Sequence, residues 1–506
     1  MTSHPLLITS SLALMFACQP AEPVLDDVDS RSITQTNDTG PQSEDQNPVA
    51  HIDAPSSGYA WTALTLDGSA STAPEGEEIT AYDWSCSDGS TGTESTLTVT
   101  FSTEGDVDCD LTVTATEGGQ DSDQTTISIL NDDKASWTFM VFVNGDNNLE
   151  DAALDDMNEM ERVGSSASVN IVVQIDRSTG QSSADGNWSG ARRYLAEKDN
   201  DTDRISSPVL DDLGAVDSGD ADSVVDFVAW AAETYPAEHY ALILWDHGWG
   251  WSLTESDEPR LTKGISSDDS TGSDISVAEG ELEQLLEDSS DILGQRLDLL
   301  GMDACLMQAW EIAYVSSAYA DILVASQDYE DYDGWPYDGF LADLVADPEM
   351  TAADLGESIA NNFHQSGDST QSVVDLAALS ELNAALDDIA TILLESSDGS
   401  RVYRQSANGA LAFEYSSAPD HDLGDLLTRL LSKSDDEDVL NAVSNGQDIL
   451  ESVVLSNYSQ WTEEATGLNI YSPSHGQIDP AYLGTTWAEN TLWDDLISDA
   501  LSGRDG

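Results

Sequence analysis

Hydrophobic and polar positions alternate in two different ways along this chain. Between about Pro48 and Asn131, apolar residues recur at every second position in short runs such as "TLTVTF" and "CDLTVTAT". Turn-forming Gly, Ser and Asp residues separate the runs. This pattern is typical of antiparallel strands that each bury one face. It predicts a small all-β sandwich over residues 48–131, with Trp84 in its core.

The pattern changes at Trp137, where short and nearly continuous apolar runs begin. "WTFMVFV", "VNIVVQID", "HYALILWDHG", "LDLLGMDAC" and "DILVAS" have the composition of strands buried on both faces. The segments between them repeat apolar residues every three or four positions, as helices with one buried face do; one such set is Val224, Phe227, Val228 and Ala231. Strands that alternate with helices predict an α/β sandwich. In such sheets, binding sites form at the carboxyl ends of the strands.

The first residues have the pattern of an export signal. "LLITSSLALMFAC" is an apolar stretch of about a dozen residues, a length that suits a signal peptide. It ends at Cys18 in "MFAC", which resembles a bacterial lipobox. We therefore predict a signal peptide over residues 1–18, lipidation of Cys18 and membrane attachment through that lipid. An ordinary signal peptide cleaved near Ala17 is the alternative.

The predicted location follows from this signal. A lipidated chain would be a cell-surface or outer-membrane lipoprotein, and an unlipidated one would be periplasmic or secreted. Residues 19–47 are polar, contain proline and show no period, so a flexible linker is expected there.

The charge of the chain excludes one class of partner. Its 506 residues include 97 Asp and Glu against 16 Lys and Arg, a formal net charge of −81. Such a surface repels phosphate groups, so nucleic acid is not expected as a partner, whereas cationic substrates are attracted. The segment "SSDDSTGSD" is rich in oxygen ligands but lacks the spacing and closing glutamate of an EF-hand. No metal or cofactor is therefore predicted, and calcium is kept as an alternative that has no clear motif.

The four cysteines divide by position. In an oxidising compartment, Cys86 and Cys109 are natural disulfide partners because both lie in the predicted sandwich. Since Cys18 is assigned to lipid, Cys305 remains as the single unpaired thiol. It follows the apolar run "LDLLGMD" and is expected at the carboxyl end of a buried strand.

A thiol at such a position becomes a nucleophile when a base lies beside it. Of the seven histidines, only His247 in "ALILWDHGWGW" has an equivalent position, because His239 precedes its apolar run. The backbone N–H groups of Gly248 and Cys305 are candidates for holding an oxyanion. From the residues alone, the alternative is a buried structural cysteine and a histidine that only ends a strand.

These residues carry a resemblance to a known family. "WDHG", followed after 58 residues by "MDAC", resembles the clostripain family of cysteine peptidases, which share the caspase-like fold with gingipains, legumain and separase. The similarity extends to "VFVNGDNNLE", "VVQIDR", "ISSDDSTGSDIS", "ASQDYEDYDGWPYDGFL", "GLNIYSP" and "LWDDLI" in that order. It covers nearly all of residues 135–506 and implies a caspase-like α/β/α sandwich. Likewise, "LDGSAST…ITAYDWS" resembles the PKD family, which implies an immunoglobulin-like sandwich before the catalytic domain.

The clostripain resemblance implies an endopeptidase that cuts after Arg or Lys. Cys305 would be the nucleophile and His247 the general acid and base. The aspartate two residues before the nucleophile, Asp303, would line the pocket for the basic side chain. Residues i and i+2 of a strand share one side of it, so Asp303 and Cys305 can face the same substrate. Capping of the following helix is the alternative role for Asp303.

A second acidic contact with the substrate is expected from "QDYEDYDGW". Asp328, Asp331 and Asp333 compete for this role, and Asp333 is the residue that we predict.

The segment between the two catalytic candidates, "GWGWSLTESDEPRLTKGISSDDSTGSDIS", lacks a strand or helix pattern and is predicted to be an exposed loop. The resemblance implies zymogen cleavage between histidine and cysteine, and Arg260 and Lys263 in residues 252–276 are the predicted self-cleavage sites.

A rival hypothesis for the whole protein is a non-catalytic adhesin that binds its partner through the PKD-like domain.

Overall fold

The structure is a computed structural model that describes residues 47–59, 63–101, 105–130, 134–251, 264–366, 369–413, 420–459 and 465–502. The predicted signal peptide, with Cys18, and nearly all of the linker lie outside these residues. Both predicted self-cleavage sites, Arg260 and Lys263, also lie outside them. The chain divides into two compact units, Met1–Asp132 and Asp133–Gly506. No helix among the described residues is long and apolar enough to cross a membrane.

The described residues of the first unit form strands and no helix. They are β1 (Ser57–Tyr59), β2 (Ala63–Asp67), β3 (Ile79–Cys86), β4 (Thr91–Gly92), β5 (Thr96–Thr100), β6 (Gly105–Ala115) and β7 (Gln120–Leu130). One sheet has the order β1-β7-β6-β3-β4, and β2 pairs with β5 in the other. Trp84 and Leu111 are fully buried in the core of this unit. The predicted all-β sandwich is therefore confirmed. Cys86 and Cys109 lie opposite each other on β3 and β6 and form a disulfide.

The second unit contains both strands and helices. Its strands are β8 (Ala135–Gly145), β9 (Val169–Arg177), β10 (Ala191–Leu195), β11 (Asp211–Gly214), β12 (Ala237–Trp245), β13 (Leu297–Asp303), β14 (Ala320–Ala325), β15 (Thr370–Asp375), β16 (Asp420–Asp422), β17 (Val454–Ser459) and β18 (Asn469–Tyr471). Its helices are α1 (Glu150–Val163), α2 (Ala221–Thr234), α3 (Glu281–Leu293), α4 (Trp310–Ser316), α5 (Tyr337–Ala346), α6 (Ala352–Ser366), α7 (Leu379–Glu395), α8 (Gly399–Ala407), α9 (Leu423–Lys433), α10 (Glu437–Val453), α11 (Thr486–Asn490) and α12 (Trp493–Leu501).

Nine of these strands form one sheet in the order β11-β10-β9-β8-β12-β13-β14-β15-β17. The central strands from β9 to β14 pair in parallel, and the outer ones are antiparallel. From β8 the chain first adds β9 on one side and later adds β12 on the other. The order of the strands therefore reverses between β8 and β12, the position at which open α/β sheets leave a crevice for ligands.

Helices cover both faces of this sheet. Along β8, Met140 and Phe142 belong to one buried cluster with α2, α3 and α7, whereas Phe139 and Val141 belong to a second cluster with α1, α5 and α6. Each face is apolar because alternate residues of a strand point to opposite sides and both sides are covered. The predicted α/β/α sandwich is confirmed, and α2 buries the four residues that its periodicity indicated.

The expectation of an exposed loop between the catalytic candidates is confirmed for residues 269–272 and is wrong for residues 264–268. Residues 264–268 are buried rather than exposed, and Ile265 has no accessible surface. Ile265 makes isolated β-bridges to both Gly248 and Ile275, and the Trp249 N–H donates to the Gly264 carbonyl at 2.9 Å. A segment without its own strand pattern is thus held by single bridges to its neighbours.

Candidate active site

A cavity of about 350 Å³ lies at the carboxyl ends of β12 and β13. Its lining includes His247, Gly248, Asp303 and Cys305, so the structure brings four of the sequence-predicted site residues to one space. Asn148, which follows β8, also contributes to the lining. The cavity therefore lies beside the point at which the strand order reverses.

Strand register explains why these residues meet. Trp245, the last residue of β12, pairs with Val143 of β8 on one side and with Asp303 of β13 on the other. His247 lies two residues beyond the end of β12, and Cys305 lies two residues beyond the end of β13. Parallel strands that end at the same level deliver the residues that follow them to the same edge of the sheet.

The Cys305 thiol lies at a sharp turn of the backbone. Leu306, the next residue, has a φ of 64°, in the left-handed region that a branched side chain rarely adopts. Its N–H donates to the Asp328 carbonyl at 3.0 Å, which holds the turn. The Glu330 N–H donates to Cys305 Sγ at 3.4 Å. Burial raises the pKa of the Cys305 thiol to about 11, against the opposing effect of the Glu330 hydrogen bond, so the thiol is protonated at neutral pH.

His247 is held by a neighbouring amide. Its Nε2 atom lies 3.0 Å from Asn148 Oδ1. An amide oxygen only accepts hydrogen bonds, so Nε2 carries the proton and Nδ1 keeps its lone pair. Burial lowers the pKa of His247 below its usual 6.5, and the nearby Asp269 carboxylate opposes this shift. The imidazole is therefore neutral at pH 7, with Nδ1 available as a base.

Position 248 requires glycine because the segments that follow β12 and β13 approach each other closely there. A Cβ atom there would lie 2.4 Å from the Cys305 carbonyl oxygen and 2.9 Å from Ala304 Cβ. No larger residue fits without moving the backbone of the nucleophile. In the described part of the chain, the N–H groups of Gly248 and Cys305 do not donate to any backbone carbonyl. Both therefore remain candidates for holding an oxyanion.

Asp303 lies at the base of the cavity and is 4% exposed. Its Oδ2 atom accepts hydrogen bonds from the Trp335 N–H at 3.3 Å and from the Tyr337 hydroxyl at 3.0 Å. The following helix, α4, begins at Trp310 with Ala309 at its N-cap. Asp303 therefore does not cap that helix, and the alternative role considered from the sequence is excluded.

The candidates for a second acidic contact lie on one turn beside the cavity. Asp331 and Asp333 are both exposed, and Asp331 and Glu330 belong to the cavity lining, whereas Asp333 does not. The Gly334 N–H donates to the Asp331 carbonyl at 3.1 Å, so residues 331–334 form a tight turn. Contact of Asp333 with a substrate stays a prediction. Asp328 also lies outside the lining.

His239, which precedes the apolar run of its strand and was therefore not a catalytic candidate, lies away from the cavity. Its Nδ1 atom is 2.7 Å from Asp298 Oδ1, and its ring lies against Trp137 with a centroid distance of 4.9 Å. This contact accounts for the residue without a catalytic role.

Three buried carboxylates form a cluster able to hold a metal ion. One oxygen from each of Asp146, Asp176 and Asp268 lies within 4.8 Å of the others. Ser218 donates to Asp176 and Asp268 at 2.7 and 3.0 Å, and Ser270 donates to Asp146 at 2.9 Å. Burial raises the pKa of Asp176 to about 7. The sequence did not indicate this cluster because its members come from three separate segments.

The family of the chain follows from comparison with known proteins. Residues 141–498 match the model of the clostripain family, and residues 45–129 match that of the PKD domain. The chain is a cysteine peptidase with an α/β/α fold. It belongs to the clostripain family and carries a PKD domain near its N-terminus.

Individual relatives agree with this assignment. Clostripain of Hathewaya histolytica is 26% identical over 411 residues, which span 69% of this chain and 77% of that protein. A secreted C11 cysteine protease from Bacteroides thetaiotaomicron, solved with an irreversible peptide inhibitor, covers 72% of this chain and 99% of its own, with 21% identity and a TM-score of 0.53. An inactive zymogen C11 protease from Parabacteroides distasonis has the same coverage, with 19% identity and a TM-score of 0.51.

Two residues in and behind the cavity are not predicted from the sequence. Asn148 lies within the motif "VFVNGDNNLE", which by itself indicates no contact for it. Asp156 lies on α1 between apolar residues of its buried face, and its Oδ2 atom accepts from Trp245 Nε1 at 2.7 Å. A carboxylate on the apolar face of a helix was the one local signal that indicated it.

We predict that alkylation of Cys305 in the free protein is slow at neutral pH and keeps rising with pH. Because the thiolate is the reactive form and the thiol pKa is about 11, the rate with iodoacetamide should rise about tenfold per pH unit between pH 7 and 10. Mass spectrometry of the Cys305 peptide measures this rate, with N-acetylcysteine as a control that levels off earlier. A rate that is already constant at pH 7 would instead indicate a thiolate–imidazolium pair in the resting protein.

Proposed function

We propose that this protein is an exported endopeptidase that cleaves peptide bonds after Arg or Lys through a Cys305–His247 dyad. The observation that supports this proposal most strongly is the common cavity. A thiol, a neutral imidazole, two available backbone N–H groups and a buried carboxylate line one space at the carboxyl ends of β12 and β13.

The chemistry begins with a neutral pair. His247 Nδ1 takes the proton of the Cys305 thiol while Sγ attacks the carbonyl carbon of the substrate. The N–H groups of Gly248 and Cys305 hold the oxyanion that forms. His247 then gives the proton to the leaving amine, and the C–N bond breaks. A water molecule, deprotonated by the same imidazole, hydrolyses the thioester and restores the thiol.

Asp303 sets the preference for a basic side chain. Its carboxylate lies at the base of the cavity, two residues before the nucleophile, where it can pair with a guanidinium or an ammonium group. Asp331 and Glu330 also line the cavity and add negative charge to it. A cationic side chain is therefore attracted into the cavity, whereas an acidic one is repelled.

The proposal extends to location and activation. We propose export through residues 1–18 and lipid attachment at Cys18, which would tether the catalytic domain to a membrane by the linker. A secreted protease among the similar structures supports export.

We also propose self-cleavage after Arg260 or Lys263, because these basic residues lie in a polar segment between the two catalytic candidates.

Replacing either member of the dyad should abolish peptidase activity without unfolding the protein. Cys305→Ala removes the nucleophile and His247→Ala removes the base, so kcat on an Arg-containing fluorogenic peptide should fall by a factor of about 10⁴ or more. His239→Ala, a histidine outside the cavity, is the matched control and should keep its activity. Retention of more than a few per cent of activity by Cys305→Ala would disprove the dyad.

Asp303→Asn should discriminate against basic substrates. An unpaired guanidinium in a buried pocket raises the barrier by about 2–5 kcal/mol, so kcat/KM should fall far more for Arg at P1 than for Leu. Asp347→Asn serves as the control, since this exposed side chain lies outside the cavity. An equal fall for both substrates would mean that Asp303 only supports the fold.

Self-cleavage should depend on the chain's own thiol. Intact mass should show the wild-type protein cut after Arg260 or Lys263, and the Cys305→Ala protein full length. The Arg260→Gln/Lys263→Gln double variant should also stay intact. An active wild-type protein that remains in one piece would rule out this activation step.

A further inference from the structure

A second carboxylate lies behind Asp303, on a different element. Asp156 belongs to α1 and is 2% exposed. Its Oδ2 atom accepts a hydrogen bond from Nε1 of Trp245, the residue whose backbone pairs with Asp303. Helix α1 and strand β13 therefore bring two aspartates to the same face of the sheet.

Gly334 shows how closely these two carboxylates converge. A Cβ atom on Gly334 would lie 3.2 and 3.3 Å from the two carboxylate oxygens of Asp303 and 3.5 Å from Asp156 Oδ2. Three carboxylate oxygens therefore surround the position that a Cβ atom at residue 334 would occupy. Gly334 has a φ of 59°, which favours glycine there in any case, and it belongs to the cavity lining.

The charged groups that act most strongly on Asp156 are acidic, although Arg162 pairs with one of them, Glu159, at 3.2 Å. Asp303 faces it from β13, and Glu159 and Asp155 face it from its own helix. The polar groups nearby are the Trp245 indole from β12 and the Tyr337 hydroxyl from α5. Burial, followed by repulsion from Asp303 and Glu159, raises the pKa of Asp156 well above its usual value. Two ionised carboxylates at this depth would repel each other strongly, which favours a shared proton.

We propose that Asp156 and Asp303 act as one carboxylate pair at the base of the substrate pocket, which holds a single proton while the pocket is empty and releases it to solvent when a guanidinium enters. This inference rests on the proposed preference for basic residues. Asp303 contacts the substrate, and Asp156 is a positioning residue that acts through it.

The pair explains why a cation is preferred over a neutral side chain of the same shape. When the guanidinium enters, its positive charge replaces the shared proton, and both carboxylates become ionised. A neutral side chain supplies no charge, so the pair keeps its proton and gains little from the contact. The planar guanidinium also has several N–H donors in a fixed arrangement, which suits carboxylate oxygens that converge from two directions.

The first test compares peptides that differ only in P1, with arginine or its neutral isostere citrulline. We expect the wild-type protein to prefer arginine strongly in kcat/KM. Asp156→Asn should lower the arginine-to-citrulline ratio by about tenfold or more, the equivalent of one pKa unit of differential interaction. Asparagine keeps an oxygen for the Trp245 hydrogen bond. Asp222→Asn, an exposed carboxylate on α2 outside the cavity, should leave the ratio unchanged.

The outcomes separate this inference from the proposed function. If the wild-type ratio is near one, the preference for basic residues is absent and both proposals fail. If Asp303→Asn lowers the ratio but Asp156→Asn does not, the preference stands and the carboxylate pair is disproved. If Asp156→Asn lowers activity equally on both peptides, Asp156 only supports the fold, and the pair is again disproved.

A second test needs no variant. Benzamidine carries a planar cation, and its inhibition constant for the wild-type protein can be measured between pH 5 and 8. Release of one proton on binding should make the affinity rise with pH by up to about tenfold per unit until the pair is ionised without ligand. A neutral analogue, benzamide, should show no such slope. An inhibition constant for benzamidine that stays flat across this range would overturn the shared proton.

Discussion

Parallel pairing of β8, β12 and β13 is the constraint on which the site depends. These strands end at one level because Trp245 pairs with both Val143 and Asp303. A shift of one residue between β12 and β13 would turn Asp303 to the opposite face of the sheet and move Cys305 away from His247. The buried clusters on the two faces of the sheet fix this register, since the apolar side chains of each face pack against one layer of helices.

Buried carboxylates around the site are stabilised by hydrogen bonds. Asp246 accepts from Asn147 Nδ2 at 2.6 Å and from the Ser267 N–H, and it lies at the turn that presents His247. Asp303 accepts from the Trp335 N–H and the Tyr337 hydroxyl. Each bond replaces water that the carboxylate lost on burial. The acidic residues near the cavity are therefore structural connections as well as sources of charge.

The resting site is neutral at its reacting centre and acidic around it. Burial keeps the Cys305 thiol protonated and His247 uncharged at pH 7, so no reactive thiolate is exposed in the absence of substrate. Binding of a cation at Asp303 would bring the scissile bond to the thiol and exclude water from the cavity. In the proposed mechanism, the acidic lining would favour entry of a cationic substrate, and proton transfer from the thiol to His247 would follow its binding.

The sequence by itself determined the two folds and the catalytic candidates. Period-two alternation and continuous apolar runs reflect burial on one or both strand faces, and His247 and Cys305 each follow such a run. Only the tertiary structure decided which partners surround them. Asn148 meets His247 from 99 residues away, and Trp245 meets Asp156 from 89 residues away.

The same limit explains where the structure departs from the sequence pattern. The polar composition of the loop predicts exposure, yet residues 264–268 are buried. The bridges of Ile265 to Gly248 and Ile275 account for this burial. Periodicity reports whether a residue is buried by its own element. It contains no information on which distant segment covers a loop or approaches a side chain, because such contacts arise only when the whole chain has packed.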